Sequence, residues 1–327
     1  MGGVRSMVKK GLGEMGFNKG GGAINWFPGH MAAATRAIRH RLKVSDLVVE
    51  VRDARLPLSS ANEDLQPSLS GKRRVIALNK KDLANPNIMH KWTHYFDSRK
   101  QDCISINAHS RSSVKKEKMK RATVGPLPGV TQDIAGFKIA HQPSIYVLDT
   151  PGVLVPSIPD IETGLKLALA GSVKDSVVGE ERIAQYLLAV LNTRSTPLHW
   201  RHLNNRRIEE LRNEYEDKHD YNLKDLLPNK RKLPNRSDVK YIEDLVTEVQ
   251  CALHVTLSEF NGNLEEENDL ESLIEQQFEK LQKAMKIPHK ASEARTMVSK
   301  KLLTLFRTGK LGPFILDDVP DSPNPVS

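Results

Sequence analysis

Apolar and polar positions follow two different regimes along this chain. Up to about residue 150, short apolar runs are separated by segments of helical period. These are a helix over about His30 to Lys43, the run Leu47 to Val51, the run Val75 to Leu78, a helix over Asn87 to Phe96, the short strand Cys103 to Asn107 and the strong strand Ser144 to Leu148. Apolar runs without polar alternation suit strands buried on both faces, and the helices between them suit the crossovers of a parallel sheet. The pattern predicts the doubly wound α/β class, with both faces of the sheet covered.

Beyond Pro156 only helical patterns follow, beginning with Ile161 to Ala170 and Glu180 to Thr193. Val239, Ile242, Leu245, Val246, Val249, Leu253 and Leu257 recur at three- and four-residue intervals, as do Leu270, Leu273, Ile274, Phe278, Leu281 and Met285. Such stripes are packing faces of amphipathic helices. A last helix over Ala294 to Phe306 stops at Gly309. The expected division is a basic tail over 1–22, an α/β domain over 23–157, an all-α domain over 158–316 and a disordered Pro-rich tail over 317–327.

Composition narrows the class. No apolar run reaches the roughly 18 residues of a membrane span. Cys103 and Cys251 stand far apart and match neither a disulfide framework nor a zinc spacing, which points to a reducing compartment. The net charge of +9, from 49 Lys and Arg against 40 Asp and Glu, favours a polyanionic partner without specifying one. The first 22 residues carry Arg5, Lys9, Lys10 and Lys19 against one acid and no long apolar core. That excludes a secretory signal and leaves a mitochondrial presequence or a plain basic tail.

Two short motifs carry chemistry. Asn79-Lys80-Lys81-Asp82 stands at the end of the Val75 strand, the edge where open α/β sheets bind ligands. A carboxylate at Asp82 can accept the N1 and N2 hydrogens of guanine, which adenine does not offer; Asn79 can bond the O6/N7 edge and Lys80 can cover the ring. Asp149-Thr150-Pro151-Gly152 follows the Ser144 strand, where an aspartate can hold a magnesium-bound water and a glycine amide can reach a terminal phosphate. Either motif alone also fits a surface turn. Together, each at a strand's end, they indicate a nucleotide site. Ser105-Ile106-Asn107-Ala108-His109-Ser110 resembles the loop whose backbone completes a guanine pocket.

Ordinary GTPases place the phosphate loop and D-x-x-G before N-K-x-D; here the order is reversed, which is a circular permutation. With Trp26-Phe27-Pro28-Gly29-His30-Met31, Asp53-Ala54-Arg55 with Pro57, and Pro128-Gly129-Val130-Thr131, the chain resembles the circularly permuted GTPases of ribosome assembly, in particular the mitochondrial ribosome-associated DAR GTPases. The resemblance implies a circularly permuted P-loop GTPase-like sheet followed by an all-α C-terminal domain. It implies GTP and Mg2+ as cofactors, with GTP contacts at Asn79, Lys80, Lys81, Asp82, Asn107, Ala108, Thr131, Asp149 and Gly152, and the metal at Thr131 and Asp149. It also implies a role in assembly of the mitochondrial large ribosomal subunit, in the matrix, with rRNA as partner, no DNA partner, and at most a peripheral association with the inner membrane. Val153 stands where many GTPases carry a water-positioning glutamine. The family's histidine, matched by His30, is then the catalytic candidate, the alternative being that it caps or packs the helix it begins.

One part of the family pattern is missing. No segment reads G-x-x-x-x-G-K-[ST]; Gly125 to Thr131 lacks the lysine, and in Gly16 to Gly22 Lys19 precedes the later glycines. In the permuted order the loop belongs between Ser110 and Thr131, yet residues 111–130 contain no apolar run that could form its strand. A strand, loop and helix of roughly thirty residues or more are lacking. Two functions follow as expectations: a GTP-binding assembly factor whose hydrolysis is impaired, or a non-hydrolytic ribosome- and rRNA-binding protein. Arg206, Arg207, Lys230, Arg231 and Lys232 are the candidate rRNA contacts, the alternative being an exposed linker. His199, His202, Asp217, His219 and Asp220 read as a solvated loop rather than a metal site.

Overall fold

A computed structural model describes residues 12–16, 24–25, 29–108, 135–154, 157–158, 160–194, 236–288 and 293–320. The described residues divide into two compact units, one holding those up to Gly179 and those from Pro313 onward, the other Glu180 to Gly312. The division falls after Gly179, beyond the Ile161 helix that the sequence pattern had assigned to the helical domain. Residues 321–327, and with them most of the expected tail, lie outside the described residues. Residues 317–320 do not: Asp317 is buried and anchored, so the expectation of a disordered tail from 317 is corrected.

In the first unit a short pair of strands, β1 (Ile24–Asn25) and β7 (Ser157–Ile158), is antiparallel. The remaining elements are α1 (Gly29–Leu42), β2 (Leu47–Asp53), the single turn α2 (Gln66–Leu69), β3 (Arg73–Asn79), α3 (Pro86–Ser98), β4 (Asp102–Ser105), β5 (Ala135–His141), β6 (Ser144–Asp149), α4 (Ile161–Leu169) and α5 (Asp175–Val178). Strands β2, β3 and β4 form a parallel sheet in that order. Its register pairs Asp53 with Asn79 and Leu78 with Ser105, so three strand ends arrive at one edge.

Helix α3 covers one face. Asn85 caps it, its side chain accepting from the amides of Asn87 (3.0 Å) and Ile88 (3.4 Å), and Pro86 opens the first turn where no amide is needed. Met89, Trp92 and Phe96 then recur on one side and pack on Ile76, Leu78, Ala54 and Ile315. Truncating the fully buried Trp92 to Ala should cost about 3–5 kcal/mol. Ile38 and Leu42 of α1 form a second cluster with Leu65 and Leu69.

The other face departs from expectation. Leu47, Val49 and Val51 are 50%, 56% and 61% exposed, and Ile104 on β4 is exposed as well, so among the described residues no element covers this face. Strand β6, expected to join the parallel sheet, pairs instead with β5 in an antiparallel hairpin (Ala135↔Asp149, Phe137↔Val147), and β5 itself was not anticipated. The apolar run of β6 fits either partner, since period alone does not specify which edge a strand joins.

The second unit contains α6 (Glu180–Thr193), α7 (Arg236–Glu259), α8 (Glu267–Ala284) and α9 (Ala294–Arg307). Of the expected stripes, Leu245, Val249, Leu253, Leu270, Leu273, Ile274, Phe278, Leu281 and Met285 are buried, while Ile242, Val246 and Leu257 are half-buried; Ile183, Leu187, Val298, Leu302 and Phe306 are buried as well. A reciprocal amide pair is buried in this unit too. Asn192 Nδ2 donates to Gln277 Oε1 at 2.8 Å and Gln277 Nε2 donates to Asn192 Oδ1 at 3.0 Å. Arg295 forks onto Glu275, which holds the glutamate's pKa below its ordinary value. No helix among the described residues is long and apolar enough to cross a membrane.

Candidate functional site

Strand β3 ends at Asn79 and the chain turns sharply through Lys80, whose backbone is left-handed (φ 61°, ψ 37°). A side-chain-bearing residue adopts that conformation only when its surroundings impose it. Here they do. Asn79 Oδ1 accepts from the amides of Lys80 (2.8 Å) and Ala108 (3.1 Å), and the Lys81 amide donates to the Ile106 carbonyl at 3.1 Å. Asn79 therefore commits its amide oxygen to tying two loops together. The exposed Asp82 stands in the short 3-10 turn that follows.

A third loop joins them from β2. The Ala54 amide donates to the Asn79 carbonyl at 2.8 Å, and Lys80 Nζ donates to Asp53 Oδ2 at 3.0 Å. Asp53 is buried and receives three bonds from Arg55: the amide (3.0 Å) and Nε (2.9 Å) at Oδ1, and Nη2 (2.7 Å) at Oδ2. Burial pushes its pKa up, but the hydrogen bonds and charge of Arg55 and the charge of Lys80 outweigh it, leaving the carboxyl below its ordinary 3.8. Arg55, 2% exposed, also donates Nη2 to the Ala170 carbonyl at 3.0 Å, and its own carbonyl accepts from the Leu316 amide at 2.8 Å. The segment from Pro313 thus straps the site from below. Phe314 donates its amide to the Leu83 carbonyl, and Asp317 accepts from the amides of Leu58 and Ser59, both at 2.8 Å, and from Ser59 Oγ.

Asp53 and Arg55 stood in the sequence only as part of a family motif, without a role. The signal that could have found one is a buried-type strand ending in Asp-x-Arg beside N-K-x-D. Nothing in the pattern marked Asp317, because its partners lie far away in sequence.

Asn79, Lys80, Asp149 and Gly152 line one cleft of about 1240 Å³, together with Asp53, Thr150 and both strands β2 and β6. Both motifs singled out in the sequence thus border the same cleft. A Cβ added at Gly152 would meet nothing within 4 Å, so its backbone is open to approach. Lys81 and Asp82 are exposed, and Ala108 is tied in through Asn79. Thr131, the side chain of His30, and Arg206, Arg207, Lys230, Arg231 and Lys232 lie outside the described residues. Cys103 beneath the site has its thiol pushed up to about 11 by burial, which argues against thiol chemistry there. Among the described residues no cluster of three or more His, Cys, Asp or Glu could hold a metal. The Asp149 carboxylate fits Mg2+ in the manner of sites that use one or two carboxylates and take remaining ligands from substrate phosphates.

Comparison with known proteins decides the family. No family model matches the chain. DAR GTPase 2, mitochondrial, of Arabidopsis thaliana is 34% identical over 349 positions, covering 90% of this chain and 90% of that protein. The chain belongs to the circularly permuted ribosome-assembly GTPases. Within that family, Short integuments 2, mitochondrial, of Arabidopsis thaliana is 63% identical over 369 positions, covering 98% of this chain and 96% of the relative. The mitochondrial ribosome-associated GTPase 1 of Xenopus tropicalis is 34% identical over 219 positions, covering 51% of this chain and 70% of the relative. The chain is a mitochondrial member of the family, in keeping with these names. An alignment of 369 positions exceeds the 327 residues of this chain, so the relative carries interior residues that this GTPase homologue lacks.

Proposed function

We propose that this chain binds guanine nucleotide through Asn79 to Asp82 and acts in the matrix in assembly of the mitochondrial large ribosomal subunit, with hydrolysis impaired. The observation that carries the reading is the joint held by Asn79, whose side chain fixes Lys80 in a left-handed turn and draws in Ala108. That geometry leaves the Asp82 carboxylate exposed to accept the paired N1 and N2 hydrogens of guanine. Asp149 would hold Mg2+ beside the phosphates, and the open Gly152 amide would reach the terminal one. When bound, the metal would neutralise phosphate charge; Thr131 is its second proposed ligand.

Impaired hydrolysis rests on the sequence. Without G-x-x-x-x-G-K-[ST] the chain has no lysine and amide cradle to offset charge developing at the β and γ phosphates. The ribosomal role is supported by the family and by the names of the relatives, and the basic segment Arg206 to Lys232 supplies the proposed rRNA contact. Titration of the purified chain with GTP and ATP, followed by a magnesium-dependent phosphate-release assay, tests it. GTP should bind in preference to ATP with negligible turnover. Equal affinities would remove the guanine assignment, and robust magnesium-dependent release, free of contaminating GTPase, would show that a phosphate site exists elsewhere in the chain.

A further inference from the structure

The segment from Phe314 to Asp317 belongs to the first unit and bonds to two loops of the candidate nucleotide site at once. The Phe314 amide donates to the carbonyl of Leu83, the residue after Asp82, at 2.9 Å, and the Leu316 amide donates to the Arg55 carbonyl at 2.8 Å. Between them Ile315 packs in the core cluster of Ala54, Ile76, Leu78 and Trp92, so the segment is anchored before Asp317 is reached. Asp317 adds a different kind of contact. Its buried carboxylate accepts the amides of Leu58 and Ser59 at Oδ2 and the Ser59 hydroxyl at Oδ1, partners 259 and 258 positions away in sequence. The next residue along that loop, Ser60, accepts the Asp53 amide on its Oγ at 3.1 Å, and Asp53 in turn accepts Lys80 Nζ. A continuous path of bonds thus runs from Asp317 through Ser59 and Ser60 to Asp53 and Lys80. A second, from Phe314, reaches Leu83 on the far side of Asp82.

We propose that Asp317 is a positioning residue for the turn from Lys80 to Asp82: it sets the loop over Leu58 to Ser60, which sets Asp53 and through it the turn. Lys80 holds a left-handed backbone that persists only where its surroundings fix it. Anchoring the segment needs no carboxylate, since Ile315 and two backbone bonds already supply it. What the carboxylate adds is a fixed place for two loop amides that lie beside the Asp-Ala-Arg motif. The consequence for base recognition rests on the proposed reading of Asn79 to Asp82 as a guanine site: the acceptor pair of Asp82 meets guanine N1 and N2 only while the turn is held.

The test compares Asp317→Ala with Asp317→Asn in the full chain. Asparagine keeps the arrangement, because its Oδ1 can accept both amides and its Nδ2 can donate to the Ser59 hydroxyl, whereas alanine leaves all three without a partner. Amide exchange in the nucleotide-free chain should be faster in Asp317→Ala at Lys80, Lys81 and Ala108, whose acceptors are Asn79 and Ile106 rather than Asp317, and should return to the parent rate in Asp317→Asn. GTP affinity should fall ~3–30-fold in Asp317→Ala, the range for a residue acting through a chain of contacts, and recover in Asp317→Asn. Ser59→Ala, which removes one of the three bonds, should shift both readings in the same direction and serves if Asp317→Ala folds poorly. Phe96→Leu, in the core near the end of α3, should lower the urea midpoint without changing either reading. Unchanged exchange at the three amides in Asp317→Ala, or equal changes in Phe96→Leu, overturns the proposal. A parent chain that binds no GTP removes the guanine reading instead, and faster exchange at those amides would still uphold Asp317 as the residue that sets the turn.

Discussion

Lys80 Nζ lies 3.0 Å from Asp53 Oδ2, and that bond joins the guanine-type loop to the Asp-Ala-Arg motif on the neighbouring strand. The parallel register that pairs Asp53 with Asn79 makes it possible. Lys80 is partly exposed, so the bond itself contributes less than about 1 kcal/mol. Its consequence is geometric: with Asn79 tied to Lys80 and Ala108, it fixes the turn from which Asp82 projects.

Replacing Asp53 by Asn should therefore destabilise the first unit by about 3–5 kcal/mol, because Arg55 would be left buried without its carboxylate. The pH dependence has a definite sign. The Asp53 pKa is depressed in the folded state, so its contribution is full above 3.8 and is lost as pH falls below that value and through the folded one. Urea unfolding at pH 7, 5 and 3 should show the parent losing more stability than Asp53→Asn between pH 5 and pH 3. Parallel losses in the two proteins would mean that Asp53 is not the titrating group.

Changing Asp82 to Asn should exchange the pair of acceptors facing guanine N1 and N2 for an amide. GTP affinity should fall by ~10–150-fold, as for the loss of hydrogen bonds to a charged group, while xanthine nucleotides gain relative to GTP. Competition binding with GTP, XTP and ATP reads this directly, and an unchanged GTP-to-XTP ratio would count against Asp82 as the reader of the base.

Reversal of Arg206, Arg207, Lys230 and Lys232 to Glu should weaken association with large-subunit particles, and the parent's affinity should fall as salt rises, because those cations displace counterions from RNA. Cosedimentation across a salt series measures both. Unchanged sedimentation of the reversed chain would reduce this segment to ordinary surface.

Insertion of a family-type strand, G-x-x-x-x-G-K-S loop and helix at Val114 should fill the cleft from within and restore turnover. In that background His30→Ala should lower the single-turnover rate by ~10²–10⁴-fold, the range for a general base, with little change in GTP affinity. A change in affinity alone would return His30 to the capping role.

In the helical unit, Asn192→Leu should cost about 1–3 kcal/mol by leaving the Gln277 amide buried without its partner. Adding Gln277→Met should recover much of that loss. The coupling comes from a double-mutant cycle of urea midpoints, and additive effects would show that the two amides do not depend on one another.

The sequence by itself determined the local elements and the chemistry they carry. Asn79 to Asp82 and Asp149 to Gly152 stand at strand ends because a turn must follow an apolar run, and the stripes of α7 and α8 follow from helical period. The reversed motif order and the lack of a phosphate loop are also plain in the letters. The tertiary structure alone decided which distant groups meet. It set Arg55 on the Ala170 carbonyl, Asp317 on the amides of Leu58 and Ser59, and Asp53 on Lys80. Among the described residues it also paired β6 with β5 rather than with β2. Periodicity records how much of a segment is buried, but not against what. A buried carboxylate or a free strand edge is satisfied by whatever donors the fold brings within about 3 Å, and those lie at sequence separations that no local pattern encodes.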